Sequence, residues 1–413
     1  MAVQNKTYTL VKCRAVADIE KISENINITI DDNGRIKSIG SEIEGDEIDC
    51  RNYVVIPGLI NAHTHSAMIA LRGYYDDAEL QEWLRKMWEF ERSMSKDLMR
   101  ISSEIAIIEM LSSGTTGFVD MYFNPEQLKE LSNIYKIRVQ AGYTFLDNLY
   151  DPYLIDKLQR ELKPEGYFQP IINVHSIYAT SKETLELANQ LSKELGERIH
   201  IHVSETRREI YEVKKKTGMF PVEYLNSLNM LDRMQLVHLG WVASWEIDLI
   251  REKNAIVTNC PTSAMKLATA GFFPFKEMLN SGITVTLGTD GPASNNSLDM
   301  FREMKNAILL YRHSYWSTSV KAIDAFRSAT YEGYKLLKVK GGKIREGYVA
   351  DLVLLDAKRL YPLFKDRLIS HIVYTATGDM VKAVIVNGNM RTKDEILERL
   401  PKLIERLHRL LNA

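Results

Sequence analysis

From residue 54 to residue 287, short apolar runs alternate with longer amphipathic stretches, and no other feature narrows the fold as much. The runs cover residues 54–60, 116–121, 137–142, 170–175, 198–203, 234–239, 255–259 and 283–287. Several are β-branched without a polar face, the pattern of strands buried on both sides. Between them, residues 98–111, 182–195, 209–216 and 244–253 carry apolar side chains at helical spacing. Strands separated by crossover helices run parallel. Eight such units predict an α/β fold, a (β/α)₈ TIM barrel, with ligands gathered at the C-terminal ends of its strands. A doubly wound open sheet is the alternative. It is less favoured because the informative polar residues fall at the ends of many different strands.

The flanks read differently. Residues 7–49 alternate like short strands. Asn25-Ile26-Asn27-Ile28-Thr29-Ile30 enters the turn Asp31-Asp32-Asn33-Gly34 and leaves through Arg35-Ile36-Lys37-Ser38-Ile39, a hairpin by pattern and turn chemistry. Beyond Gly341, Leu352-Val353-Leu354-Leu355 and Val381-Lys382-Ala383-Val384-Ile385-Val386 read as strands again. The expected organisation is a barrel over 54–338, with 1–53 and 339–413 joined in one discontinuous β domain. Residues 393–411 read as one charged amphipathic helix packed on the outside.

Composition excludes several classes. The 413 residues suit a large barrel plus a small domain. Lys and Arg number 53 against 54 Asp and Glu, so nothing draws the chain to nucleic acid or an anionic membrane. No apolar run reaches the ~18 residues of a membrane span, and Met1-Ala2-Val3-Gln4-Asn5-Lys6 lacks the apolar core of a signal peptide. Cys13, Cys50 and Cys260 are too few and too scattered for a disulfide framework or a cysteine zinc site. The expected location is the cytoplasm.

Four predicted strand ends carry what a metal-dependent hydrolase needs. The first ends in Ala62-His63-Thr64-His65, and residues i and i+2 of a strand point the same way. Two convergent imidazoles are half of a zinc-type site. The fifth reads Ile199-His200-Ile201-His202-Val203-Ser204-Glu205, so His200 and His202 share a face. His202, nearer the end, is favoured as third ligand, and Glu205 can reach a metal-bound water. The sixth ends in His238, and the eighth places Asp290 at the mouth. Three imidazoles and a carboxylate suit zinc or a similar first-row divalent ion. Such an ion lowers the pKa of bound water from ~15.7 toward ~7. Glu205 can then pass a proton to a leaving nitrogen, Asp290 can accept the water's proton, and His238 can hydrogen-bond the attacked group. Singly, each has a plainer reading: a satisfied strand-end histidine, a carboxylate at a helix N-terminus, a turn aspartate. Their coincidence at the strand ends of one barrel pattern is what favours chemistry.

These residues resemble the amidohydrolase superfamily, most closely its adenosine-type, S-adenosylhomocysteine, methylthioadenosine and guanine deaminases and triazine chlorohydrolases. The resemblance rests on Pro57-Gly58-Leu59-Ile60-Asn61-Ala62-His63-Thr64-His65, Leu71-Arg72-Gly73, Glu82-Trp83-Leu84 and Gly114-Thr115-Thr116. It continues through His202-Val203-Ser204-Glu205, Val237-His238, Cys260-Pro261-Thr262-Ser263, Gly288-Thr289-Asp290-Gly291 with Ser294-Asn295-Asn296, and Gly347-Tyr348-Val349-Ala350-Asp351-Leu352. It implies a barrel flanked by a β-sandwich, and one zinc or iron held by His63, His65, His202 and Asp290. It makes Glu205 the proton shuttle and sets His238 beside the water. Binuclear relatives end the fourth strand in a carboxylated lysine; here His175 ends it, which favours one metal. His175 then becomes a substrate contact, although Ile177 stands where relatives have proline. With a one-residue gap, Glu91 aligns with a glutamate that binds ribose hydroxyls. Trp83 and Asn259 complete the substrate-side candidates.

The chain also departs from the pattern. Relatives commonly carry histidine at Asn259 and asparagine at Ala264. No arginine for a substrate carboxylate occurs in Gln140-Ala141-Gly142-Tyr143-Thr144. The expected function is hydrolytic deamination of a small purine, nucleoside or related heterocycle. A chlorohydrolase or cyclic amidohydrolase is the alternative among enzymes, and an inactive ligand-binding paralogue the alternative outside them. A homo-oligomer is compatible with the C-terminal helix.

Overall fold

The computed structural model describes residues 6–269 and 271–412, so the reading of the chain's start falls mostly on residues outside this range. Two sheets organise the chain. The first opens with β1 (Tyr8–Ala17), β2 (Ile22–Ile30), β3 (Ile36–Gly40), β4 (Asp46–Asp49) and β5 (Tyr53–Pro57). The second contains β6 (Leu59–Thr64), β7 (Thr115–Tyr122), β8 (Arg138–Phe145), β9 (Phe168–Pro170), β10 (Ile172–Ser176), β11 (Ile199–Val203), β12 (Met234–His238), β13 (Ile256–Asn259) and β14 (Val285–Leu287). The chain then returns to the first sheet as β15 (Leu352–Asp356), β16 (Val381–Val386) and β17 (Asn389–Thr392). The first sheet runs β17-β16-β15-β5-β1-β2-β3, with β4 on β1. As expected, it is built from both ends of the chain, and the 25–39 hairpin forms with Ile30 opposite Ile36.

The second sheet is the parallel barrel, ordered β14-β13-β12-β11-β10-β8-β7-β6, with β9 added beside β8. Its strands alternate. On β11, Ile199, Ile201 and Val203 belong to the large apolar core, whereas His200 and His202 face inward toward His63. The interior is correspondingly polar: Gln235 Nε2 donates to the Ala62 carbonyl and to Thr258 Oγ1, both at 2.7 Å. The barrel closes between its last and first strands. The Asp290 N–H donates to the His63 carbonyl at 3.0 Å, and Asn61 exchanges bonds with the Thr289 backbone N–H and side chain at 3.0 and 2.7 Å. Gly288 is required there, because a Cβ would lie 2.7 Å from the His63 nitrogen.

Two expected elements divide. Residues 54–60 are not one strand: β5 pairs with β15 and β1 in the first sheet, and the barrel starts only after Gly58. Both halves are almost wholly buried, so an unbroken apolar run hides the change of sheet. The C-terminal helix is also two, Lys393–Leu397 and Leu400–Leu411. Pro401 lacks the N–H that would continue the first helix's hydrogen-bond ladder and suits the first turn of a new helix, which accounts for the break. Leu403 and Leu407 of the second helix are buried, and that helix packs on Lys96–Ser112. Among the described residues, no helix is long and apolar enough to cross a membrane.

Asp351 ties the two sheets together. Its carboxylate, closed off from solvent, accepts from Arg138 Nε at 2.6 Å and Nη2 at 3.1 Å. It also accepts from the Tyr334 hydroxyl at 3.0 Å and the Asn387 N–H at 2.6 Å. Removing one partner of a buried ion pair strands the other. Asp351→Ala is therefore expected to destabilise the protein by about 3 kcal/mol or more, read as a lower midpoint of chemical denaturation.

Candidate active site

Three strand ends that carry site residues turn through left-handed backbone without glycine: Ser204 (φ 53°), His238 (φ 78°) and Asp290 (φ 61°). Such conformations cost on the order of 1–3 kcal/mol each and persist where the surroundings enforce them. After β11, Glu209 supplies the enforcement. Its carboxylate accepts the Ser204 N–H at 3.0 Å and the Glu205 N–H at 2.8 Å. Burial nevertheless pushes Glu209 up to about 7.

The turns bring His63, His65, His202 and Asp290 together, with one donor atom from each lying within 4.8 Å of all the others. Asp290 Oδ1 stands 3.3 Å from His63 Nε2 and 3.1 Å from His65 Nε2. His63 and His202 approach at 3.1 Å through their Nε2 atoms. Four ligand atoms about 2.0–2.2 Å from one tetrahedral ion stand roughly 3.3–3.6 Å apart, so the cluster has the dimensions of a zinc-type site. The tautomers fit as well. His65 Nδ1 donates to the Met121 carbonyl at 2.6 Å, which turns Nε2 toward the cluster. His63 Nδ1 meets His200 Nε2 at 2.8 Å, and His200 Nδ1 meets Asn173 Oδ1 at 3.0 Å. Asn173 Nδ2 donates to the carbonyls of Asp120 and Gly142, which fixes its oxygen toward His200. His200 Nδ1 must then donate, His200 Nε2 accepts from His63, and His63 Nε2 is free for a cation.

Electrostatics separate the groups. Burial pulls His63 down to about 4. For His65, burial is outweighed by Asp290, the Met121 carbonyl and Asp120, which raise it to about 9. Asp290 is likewise buried, yet the imidazoles of His63 and His65 beside it hold it well below the usual carboxylate range. Its other oxygen, Oδ2, accepts from Ser263 at 2.5 Å. Glu205 goes the other way, pushed well up by burial and then by Asp290 and Glu209. His238 Nε2 lies 3.6 Å from Glu205 Oε1, and burial pulls that imidazole down to about 3.

Above the cluster lies a cleft of about 560 Å³. Helix Leu80–Glu91 contributes Trp83, Trp88 and Glu91 to its wall, and His175 and Tyr178 line the facing side. The His175 ring sits 5.0 Å from that of His202 and 5.6 Å from that of Trp88. Burial pushes Glu91 up to about 6, against a hydrogen bond from Tyr122. Trp83 Nε1 is buried without a partner among the described residues. Asn259 is the exception among the sequence candidates. It does not line this cleft; its Oδ1 accepts from the Tyr311 hydroxyl at 2.5 Å in a neighbouring chamber.

Several residues that build the site were not singled out from the sequence. The His200–Asn173 relay was hinted at by the shared face of His200 and His202. Glu209, four residues after Glu205, is a side chain that a helix-start reading can find. Ser263 carries no local signal, because it reaches Asp290 only through the fold. If the relay sets the His63 tautomer, His200→Leu is expected to weaken metal binding about 10–100-fold. Chelator competition measures this, and circular dichroism checks that the fold is retained.

Three comparisons bear on this geometry. The model of the amidohydrolase family matches residues 54–391. A 5'-deoxyadenosine deaminase of Methanocaldococcus jannaschii is 39% identical over 405 residues, covering 92% of this chain and 95% of that protein. A 5-methylthioadenosine/S-adenosylhomocysteine deaminase of Pyrococcus furiosus is 35% identical over 406 residues, covering 92% and 96%. Among solved structures, an adenosine deaminase from Xanthomonas campestris with bound zinc superposes with a TM-score of 0.89 at 25% identity, covering 98% of this chain and 99% of that one. With the barrel, the flanking sheet and the His/Asp cluster already in place, these matches make the chain a member of the amidohydrolase family.

Proposed function

We propose that this protein is a metal-dependent deaminase of adenosine-type nucleosides, hydrolysing the bond between a ring carbon and its amino group and releasing ammonia. The observation that carries this reading is the meeting of Glu205 and His238 with the four-donor cluster in an aromatic cleft. The relatives named for deamination of 5'-deoxyadenosine and methylthioadenosine support the substrate class. His63, His65, His202 and Asp290 would hold the ion, and the zinc in the related adenosine deaminase structure supports zinc. When bound, such an ion supplies a water that is nucleophilic near neutral pH.

The chain's own groups do the rest. Burial keeps a proton on Glu205, which is the state a proton donor to a leaving nitrogen needs. Asp290, ionised by its histidine partners, accepts a proton. Neutral His238 hydrogen-bonds the oxygen that attacks. Trp83, Trp88 and His175 orient the ring, and Glu91 accepts from ribose hydroxyls. The cleft is lined by the carboxyl groups of Glu91, Glu205 and Asp290 and, among the described residues, by no lysine or arginine. That lining favours nucleosides with an uncharged 5' group over those with an anionic tail. The cysteines are buried and free, in keeping with a reducing compartment, and we place the enzyme in the cytoplasm.

An ammonia-release screen over adenosine, 5'-deoxyadenosine, methylthioadenosine, guanine and cytosine tests the reading. Activity is expected on the adenine nucleosides, lost with a chelator and restored by zinc; chelator-resistant turnover by metal-free protein would sink it. Glu205→Gln is expected to lower kcat by about 10²–10⁴ with bound metal unchanged. Glu91 gives a pH signature. Its pKa is raised to about 6, so above that value it is ionised and accepts from ribose, and below it the acceptor is lost. The ratio kcat/KM for a ribonucleoside should therefore fall as pH drops through about 6. Glu91→Gln should remove that limb of the profile.

A further inference from the structure

Beyond Glu205 and His238 lies a second chamber of about 650 Å³. Both residues line it and also line the substrate cleft, so they stand between the two spaces. Apart from this pair, no charged residue lines the chamber among the described residues. Its walls are Ala264, Phe272, Phe273 and Leu310, with the Asn259–Tyr311 pair on one side. It reaches the surface where Met265 and Phe272 are 45% and 39% exposed. The substrate cleft has its own wall, helix Leu80–Glu91, which contributes nothing to this chamber.

We infer that this chamber receives the leaving group, and that the enzyme also hydrolyses N-alkylated amino heterocycles such as N6-alkyl adenine nucleosides, releasing an alkylamine. The inference rests on the deaminase reading above. A proton donor must face the nitrogen it protonates, within hydrogen-bond reach. Glu205 is that donor and borders both spaces, so the nitrogen sits between them and its substituent projects into the chamber. The step balances with water alone. Water oxygen bonds to the ring carbon, the ring carbon–nitrogen bond breaks, and the nitrogen departs with the bonding pair. That nitrogen takes its proton from Glu205, which regains one from the attacking water. The products are the oxo heterocycle and a primary amine. Apolar walls suit an alkyl substituent, and Ala264 presents only a methyl group to it.

The test compares 5'-deoxyadenosine with its N6-methyl, N6-ethyl and N6-butyl derivatives, following the oxo product and the amine released. The alkyl compounds are expected to keep kcat/KM within about tenfold of the parent. Ala264→Phe and, separately, Leu310→Trp fill the chamber from two different elements. Each should cut the N6-butyl rate by about tenfold or more while leaving the parent within about threefold. Calorimetry on Glu205→Gln protein gives a readout without turnover: the N6-butyl compound should bind as tightly as the parent, and adding Ala264→Phe should abolish that. Ammonia from the parent with no alkylamine from any derivative overturns this inference and spares the deaminase reading. Alkyl rates indifferent to both filling variants overturn the chamber's role. No turnover of the parent removes the deaminase reading and this inference with it.

Discussion

The hydrogen bond from the Asp290 N–H to the His63 carbonyl, at 3.0 Å, joins the last barrel strand to the first. A parallel barrel has no spare edge, so its closing contact must be made over a short distance and in one register. Here that contact also sets the chemistry. The backbone that donates to His63 carries, at φ 61°, the carboxylate that lies 3.3 and 3.1 Å from His63 and His65. Gly288 lets the two strands approach, and Asn61 with Thr289 fixes their slide. Closing the fold and assembling the donor cluster are thus one event, and a slip of register at this seam would lose both.

The second consequence is electrostatic. Burying Asp290 and Glu205 close together works because their surroundings differ. Asp290 has imidazole partners and stays ionised; Glu205, with no cationic partner among the described residues, feels Asp290 and holds its proton. Two carboxyl groups pushed apart in this way can serve as base and acid at one pH. The histidines divide similarly. His65 is held up to about 9 by its anionic neighbours, while His63 and His238 are kept neutral by burial. Neutral imidazoles are what a cation needs, and the His200–Asn173 relay decides which nitrogen they offer.

The strand ends were legible because the spacing of His63 and His65 and of His200 and His202 is a local, period-2 signal. That signal says which residues share a face, and position along the strand favours the one nearer its end as the donor. His200 accordingly turns out to be the support and His202 the donor. The change of sheet at Gly58 was not legible, since strands buried on both faces look alike whichever sheet they join. Asn259 faces away from the cleft for a different reason. Its place at the end of β13 is as expected, but side-chain direction at a strand end depends on the turn that follows. That turn delivers Asn259 to Tyr311 instead of the substrate cleft. Contacts such as Ser263 with Asp290 join residues 27 apart in sequence, and only the folded barrel makes them neighbours.

Chemistry and selection are carried by different parts of the molecule. The donor cluster, Glu205 and His238 all sit on β6, β11, β12 and β14 or the turns directly after them, and the hydrogen-bonded barrel fixes their geometry. The walls that meet the substrate come from helix Leu80–Glu91 and the segments after β10 and β13. Lys266 links these peripheral segments. Its ammonium donates to Asp76, just before the helix, at 2.5 Å and to the Ala293 carbonyl at 3.1 Å. Surface segments held by a few polar ties can change their lining without disturbing strand-borne donors. This separation explains how one hydrolytic centre can serve heterocycles of different shape. It also locates the two departures from the family pattern, Asn259 and Ala264, in the chamber beside Glu205 and His238 and outside the donor cluster.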